Sequence, residues 1–152
     1  MELKENIYPE LIFVEEKEFD RNELFDFLTK KIGKLKKWDH KKLLDAINRR
    51  EKKLTTGIGL NVAIPHARIE KWGNTVISCM RAKNIKNYPT MDNSPVQIVF
   101  LFISDRNNPC EHVNIISKIS YIIAEDNNIE ILKAAKTKNE LYNSIIEMCE
   151  TL

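Results

Sequence analysis

An α/β fold, a mixed sheet covered by helices on both faces, is predicted by three observations. Apolar segments of strand character alternate with segments of helical period. One of the strands, Val96 to Ile103, is so continuously apolar that it reads as buried on both faces. Helix-start signals recur before, between and after the strands. The 152 residues are 43% hydrophobic and 30% charged, with only four Gly and five Pro. That length suits one domain over 1–152, large enough to bury roughly 70% of the surface its unfolded chain exposes. The composition excludes disordered, collagen-like and Pro-rich chains.

Leu11 to Val14, preceded by Pro9 and closed by charges, reads as the opening strand. Asp20 and Glu23 have capping-box spacing ahead of Leu24, Phe25, Phe27, Leu28 and Ile32. This predicts a first helix over 20–32, ended by Gly33 in a left-handed conformation. Asp39 is placed to cap a second helix with Leu43, Leu44 and Ile47 inward, so Arg50 falls one turn further on, just ahead of a loop. Val62-Ala63-Ile64 is a β-prone triplet stopped by Pro65, with His66 directly after the stop. Thr75 to Met80 and Val96 to Ile103 are further strands. Asn108, Pro109 and Glu111 fit the N-cap, N1 and N3 positions of a helix with Ile115, Ile116, Ile119, Ile122 and Ile123 inward, which puts His112 in its first turn. A short helix near 128–136 turns Ile129, Leu132 and Ala135 inward, and Thr137 with Glu140 starts a last helix through Leu141, Ile145 and Met148. Strand order is not readable from this pattern.

The net charge of +2 conceals an asymmetry. Residues 1–29 carry 3 basic and 9 acidic side chains, residues 30–53 carry 11 and 3, and the remainder carries 10 of each. With Trp38 its lone interleaved aromatic, the basic run reads as a solvated helix face, and nucleic acid is not an expected partner. Cys79, Cys110 and Cys149 form no CxxC pair and are odd in number, so neither a disulfide scaffold nor a zinc knuckle is indicated. No apolar run approaches the roughly 18 residues of a bilayer span, and MELKENIYPE lacks signal-peptide character. A cytoplasmic location without direct membrane insertion is expected.

Three places carry possible chemistry. The loop Thr55-Thr56-Gly57-Ile58-Gly59 combines hydroxyl donors with residues that let backbone N–H groups approach an anion, although taken alone such a loop is more often a plain β-turn. His66 emerges at an angle fixed by Pro65, and a neutral imidazole with one nitrogen free is a nucleophile. His112 sits where a helix N-terminus favours an anion by about 0.3 to 1 kcal/mol. No GxxxxGK[ST] or GxGxxG is present, so no nucleotide cofactor is expected. His66 and His112 are 46 residues apart, form no HxxxH doublet and have no third ligand marked by spacing, so no metal is expected either.

Arg50-Glu51, then Thr55-Thr56-Gly57-Ile58-Gly59, then Val62-Ala63-Ile64-Pro65-His66 resemble the active-site signature of the enzyme IIA domain of the bacterial phosphotransferase system, fructose/mannitol type. The similarity continues through Asp92-Asn93-Ser94-Pro95-Val96, Glu111-His112-Val113 and Glu140-Leu141-Tyr142. It implies that His66 takes a phosphoryl group from the phosphohistidine of the small carrier HPr and passes it to a cysteine of an enzyme IIB domain, with no cofactor. It also implies that His112 hydrogen-bonds the phosphoryl group and that Arg50 orients it, and the donor-rich loop makes Thr55, Thr56 and Gly57 the residues expected to bind it. A nitrogen-type regulatory IIA, which binds target proteins according to its phosphorylation state, has nearly the same signature. Three features depart from the family pattern: Ala67 in place of Gly, Val113 in place of Leu, and Ser104-Asp105-Arg106-Asn107 in place of a more apolar, Pro-containing loop.

Overall fold

The computed structural model describes residues 2–152. After a 3₁₀ turn, Leu3–Asn6, the elements are β1 (Ile7–Asp20), α1 (Arg21–Lys36), α2 (His40–Lys53), β2 (Gly57–Gly59), β3 (Val62–Ala63), β4 (His66–Ile69), β5 (Val76–Lys86), β6 (Val96–Asp105), α3 (Pro109–Ala124), α4 (Asn128–Ala134) and α5 (Lys138–Cys149). They form one mixed sheet in the order β1-β5-β6-β3-β2, with β4 also paired to β6. The apolar run of β6 is central, as its composition requires: every residue from Ile98 to Ser104 is buried. β5 pairs with it antiparallel, and β3 and then β4 pair with it parallel, one after the other along its other side.

Side-chain alternation along β6 divides the interior into two layers. Ile98, Phe100 and Phe102 pack with Ile115, Ile119, Ile122 and Ile123 of α3 and with Leu132, Leu141 and Ile145 of the last two helices. Val99, Leu101 and Ile103 pack on the other face with Leu24, Phe25, Leu28 and Ile32 of α1 and with Leu43 and Ile47 of α2. The expected mixed sheet with helices on both faces is the observed one.

Four boundaries differ from the sequence reading. β1 is 14 residues long and takes in Pro9, because it is an edge strand with irregular pairing between Ile7 and Ile12, where a missing N–H breaks no ladder bond. β5 runs six residues past Met80, to Lys86. α1 continues through Gly33 to Lys36, and the left-handed residue is Lys37, with φ 58°. Gly33 serves the chain's return instead: a Cβ there would lie 2.9 Å from the Trp38 carbonyl oxygen. Pro65 interrupts pairing without ending it. The Pro65 carbonyl accepts from Phe102 N at 3.1 Å, and the chain resumes along β6 with His66 opposite Phe102. His66 therefore opens a strand of its own.

The capping expectations hold. The Asp20 and Glu23 side chains form the capping box of α1, Asp39 accepts from Lys41 N at 3.1 Å, Asn108 from Glu111 N at 3.2 Å, and Thr137 from Glu140 N at 3.1 Å. Among the described residues no helix is long and apolar enough to cross a membrane.

Candidate active site

β4 and α3 bring the two predicted histidines together across β6. Parallel pairing sets His66 opposite Phe102, so their side chains share a face and their rings stack with centroids 5.2 Å apart. The Asn108 cap fixes where α3 begins and brings the His112 ring to 5.0 Å from that of His66, edge to face. Phe102 touches both rings and forms an apolar floor beneath them. His66 is 9% exposed and His112 7%.

The hydrogen bonds of His66 assign its two nitrogens different roles. Nδ1 lies 2.8 Å from the Ile64 carbonyl oxygen, which only accepts, so Nδ1 carries the proton. Nε2 then carries the lone pair, and the Nε–H of Arg50 donates to it at 3.2 Å. Arg50 is steadied at the end of α2 by a second bond, from Nη1 to the Leu54 carbonyl at 2.9 Å. Burial lowers the His66 pKa from 6.5; the Ile64 bond opposes the shift, and the neighbouring Arg50 charge adds to it. Burial, followed by repulsion from His66, Arg68 and Arg50 when charged, brings His112 to about 4. Near neutral pH both rings are therefore uncharged.

The two histidines open onto a cavity of about 540 Å³ lined also by Ala46, Arg49, Arg50, Lys53, Ala67, Arg68 and Arg106. Five of these side chains are cationic and none is acidic. The last turns of α2, the strand β4 and the loop after β6 each contribute. Arg49 and Lys53, both exposed, belong to the basic run that the sequence reads as a solvated face, and they also border the cavity. Arg68 was legible in principle, since it lies two residues from His66 on a strand, but Pro65 hid that strand. Arg106 lies in the loop that departs from the family pattern and Ser104 in the strand just before it; only the β4–β6 register and the start of α3 place them near His66. Val113 is 65% exposed on α3, and Ala67 packs among the side chains of the α1 and α2 layer while bordering the cavity.

Thr55, Thr56 and Gly57 are not among the cavity's lining residues. The Thr55 hydroxyl donates to the Pro89 carbonyl at 2.6 Å and accepts from Gly57 N at 3.2 Å. The buried Glu51 carboxylate accepts from Thr56 N at 2.8 Å and Thr56 Oγ1 at 2.6 Å, and the Tyr88 hydroxyl also meets Thr56 Oγ1. Gly57 is needed for a close approach, because a Cβ would lie 2.2 Å from the Pro89 oxygen. Asp92 and Ser94 accept from Leu60 N and Asn61 N, at 3.0 and 3.1 Å. Those two bonds hold the turn of the β2–β3 hairpin, whose two residues both have positive φ. The donors expected to bind a phosphoryl group are thus committed to fixing the loop that carries the chain from α2 into β3 and β4. Among the described residues, no group of three His, Cys, Asp or Glu side chains is arranged to hold a metal ion.

Residues 5–148 match the family model described as phosphoenolpyruvate-dependent sugar phosphotransferase system, EIIA 2. The chain belongs to this EIIA 2 family. It is 26% identical over 112 residues to the fructose-specific EIIA component of Haloferax volcanii, covering 74% of this chain and 73% of that one. It is 23% identical to the nitrogen regulatory protein of Bradyrhizobium diazoefficiens, over 94% of both chains. Two solved structures share the fold. The nitrogen regulatory protein IIA-Ntr of Neisseria meningitidis superposes with a TM-score of 0.86 at 21% identity, over 94% of this chain and 98% of that one. The mannitol enzyme IIA of Escherichia coli, in its complex with phosphorylated enzyme IIB, gives 0.71 at 17% identity, over 97% and 96%. As an EIIA 2 chain, the protein is a component of a phosphotransferase system.

Proposed function

We propose that this chain is a phosphohistidine carrier. His66 Nε2 accepts a phosphoryl group from the phosphohistidine of an HPr-type carrier and passes it to a cysteine of an enzyme IIB domain, in sugar uptake of the fructose/mannitol type. The observation that carries this reading is the asymmetry of the His66 ring, with Nδ1–H tied to Ile64 and the Nε2 lone pair turned toward Arg50 beside a cavity lined by five cations.

The steps follow from that asymmetry. The Nε2 lone pair attacks phosphorus as the donor's N–P bond breaks, and the donor imidazole leaves with the bonding pair. Positive charge develops on the His66 ring, and the Nδ1–H bond to Ile64 stabilises it without a proton transfer. Arg50 has to release Nε2 for the phosphoryl oxygens, and its Nη1 bond to the Leu54 carbonyl makes that a pivot of the guanidinium about a held end. The ring is then a neutral leaving group when a cysteine thiolate attacks phosphorus, so the same geometry serves both directions. Positioning and charge stabilisation account for most of the catalysis such a transfer needs.

Incubated with enzyme I, HPr and phosphoenolpyruvate, the protein should gain one phosphoryl group, on His66. The group should be lost in mild acid and kept in base; His66→Ala should abolish it and His40→Ala should not. A folded wild-type protein that stays unlabelled with carriers of its own source would defeat the reading. A second reading, the nitrogen-type regulatory IIA, draws support from the regulatory relative that spans 94% of both chains. Transfer from phospho-His66 to a IIB cysteine favours the carrier. Labelling without onward transfer, joined to target binding that depends on phosphorylation, favours regulation.

A further inference from the structure

Ser104 is a polar residue where the pattern of β6 calls for an apolar one. Ile98, Phe100 and Phe102 precede it on the face toward α3, and Ser104 is 0% exposed. Its hydroxyl lies 2.7 Å from His112 Nδ1 and has no other hydrogen-bond partner among the described residues. A hydroxyl carries one proton, and a proton left without an acceptor in a fully buried position is costly. If Nδ1–H pointed at Oγ, the serine proton would be left in that state. Donation from Oγ–H to Nδ1 gives that proton its acceptor and leaves the ring's other nitrogen, Nε2, to carry its proton at the cavity that His112 lines.

We propose that Ser104 sets the tautomer of His112, keeping its ring proton on Nε2 so that the imidazole is a fixed hydrogen-bond donor into the cavity it shares with His66. The two rings are then set in opposite senses. A carbonyl, which only accepts, puts the His66 proton on Nδ1 and frees Nε2 as nucleophile. A hydroxyl, whose single proton has one acceptor within reach, takes His112 Nδ1 and leaves Nε2–H to donate. Ser104 is a positioning residue that acts through His112. The tautomer assignment stands on Ser104 and His112 alone, whereas its consequence for phosphoryl transfer rests on the reading of His66 as acceptor.

The test is a long-range ¹H–¹⁵N correlation spectrum of the histidine rings at pH 7.5, which reports the tautomer of His112 in the unmodified protein. The expected wild-type pattern is a protonated Nε2 and an unprotonated, hydrogen-bonded Nδ1. Ser104→Ala should convert His112 to a mixture of tautomers and slow onward transfer from phospho-His66 about tenfold, the scale of one lost hydrogen bond. Ser104→Thr, which keeps the hydroxyl, should restore the wild-type tautomer and most of the rate. A wild-type His112 protonated on Nδ1 overturns the proposal, and so does a Ser104→Ala protein that keeps the wild-type tautomer. Failure of His66 to become labelled would remove the phosphocarrier reading while leaving the tautomer result to stand, so the two failures are distinguishable.

Discussion

Arg50 donates to two acceptors of different kinds, Nε2 of His66 and the last carbonyl before the loop, Leu54 O. Removing it costs the protein these two hydrogen bonds, one of them exposed, and on the proposed carrier reading costs the transfer its nearest cation. Arg50→Ala should therefore slow labelling about a hundredfold, the scale of one removed oxyanion donor, with little change in thermal stability. A variant that loses stability but transfers normally per folded molecule would make Arg50 structural. The histidines make a second prediction, about pH. Folded His112 stays neutral down to about pH 4, whereas the unfolded chain takes up the proton near 6.5. Between those values the unfolded state binds more protons, so stability rises with pH: the contribution is complete above 6.5 and is lost as pH falls toward 4. His66, also lowered, acts in the same direction. The melting temperature should fall between pH 7 and pH 5, and fall less in His112→Gln; equal slopes would mean that His112 is not held neutral by the fold. At this scale the sequence was legible where one residue type has one strong use. His66 after Pro65 and His112 inside a capped helix stood out, while Ser104, Arg68 and Arg106 acquire meaning only through the register of β4 on β6.

Helices were more legible than strands because their ends are written locally. The side chains of Asp20, Asp39, Asn108 and Thr137 satisfy N–H groups two or three residues away, so a cap is recognisable without knowing the fold. β4 had no such signature: four residues behind a proline are a strand only because β6 lies beside them. The loop from Thr55 to Gly59 was visible as special but was open to two meanings, since glycines that admit an anion also admit a neighbouring backbone. Here the neighbour is Pro89, whose oxygen lies 2.2 Å from where a Gly57 Cβ would stand. Gly57→Ala should then destabilise by about 1–3 kcal/mol, as overpacking against backbone does, and disturb transfer through the path of β3 and β4. Thr55→Val separates the two meanings. If the hydroxyl serves Pro89 and Gly57, stability falls by about 1 kcal/mol with an unchanged rate per folded molecule. A reduced rate at unchanged stability would return Thr55 to the phosphoryl group.

Across the whole molecule, charge is arranged more strongly than its sum suggests. A net charge of +2 gives little long-range pull, yet five cations border one cavity, while β1, at the sheet edge opposite β4, carries Glu10, Glu15, Glu16 and Glu18. On the proposed carrier reading, steering of an incoming phosphoryl dianion then comes from local charge, which acts over about a Debye length of 10 Å at 0.1 M salt. Lys53→Glu and Lys17→Glu change the net charge by the same amount, one at the cavity and one on β1. If total charge governed encounter, the two variants would lose rate alike. With local steering, Lys53→Glu should lower the second-order rate of labelling by roughly 3- to 10-fold at low salt, whereas Lys17→Glu stays near wild type. The difference should shrink as salt rises toward 1 M, where the screening length falls to about 3 Å. Rates measured against ionic strength for the three proteins decide the matter. Parallel curves for the two variants would mean that the cations of the cavity act only after contact, on the phosphoryl group itself.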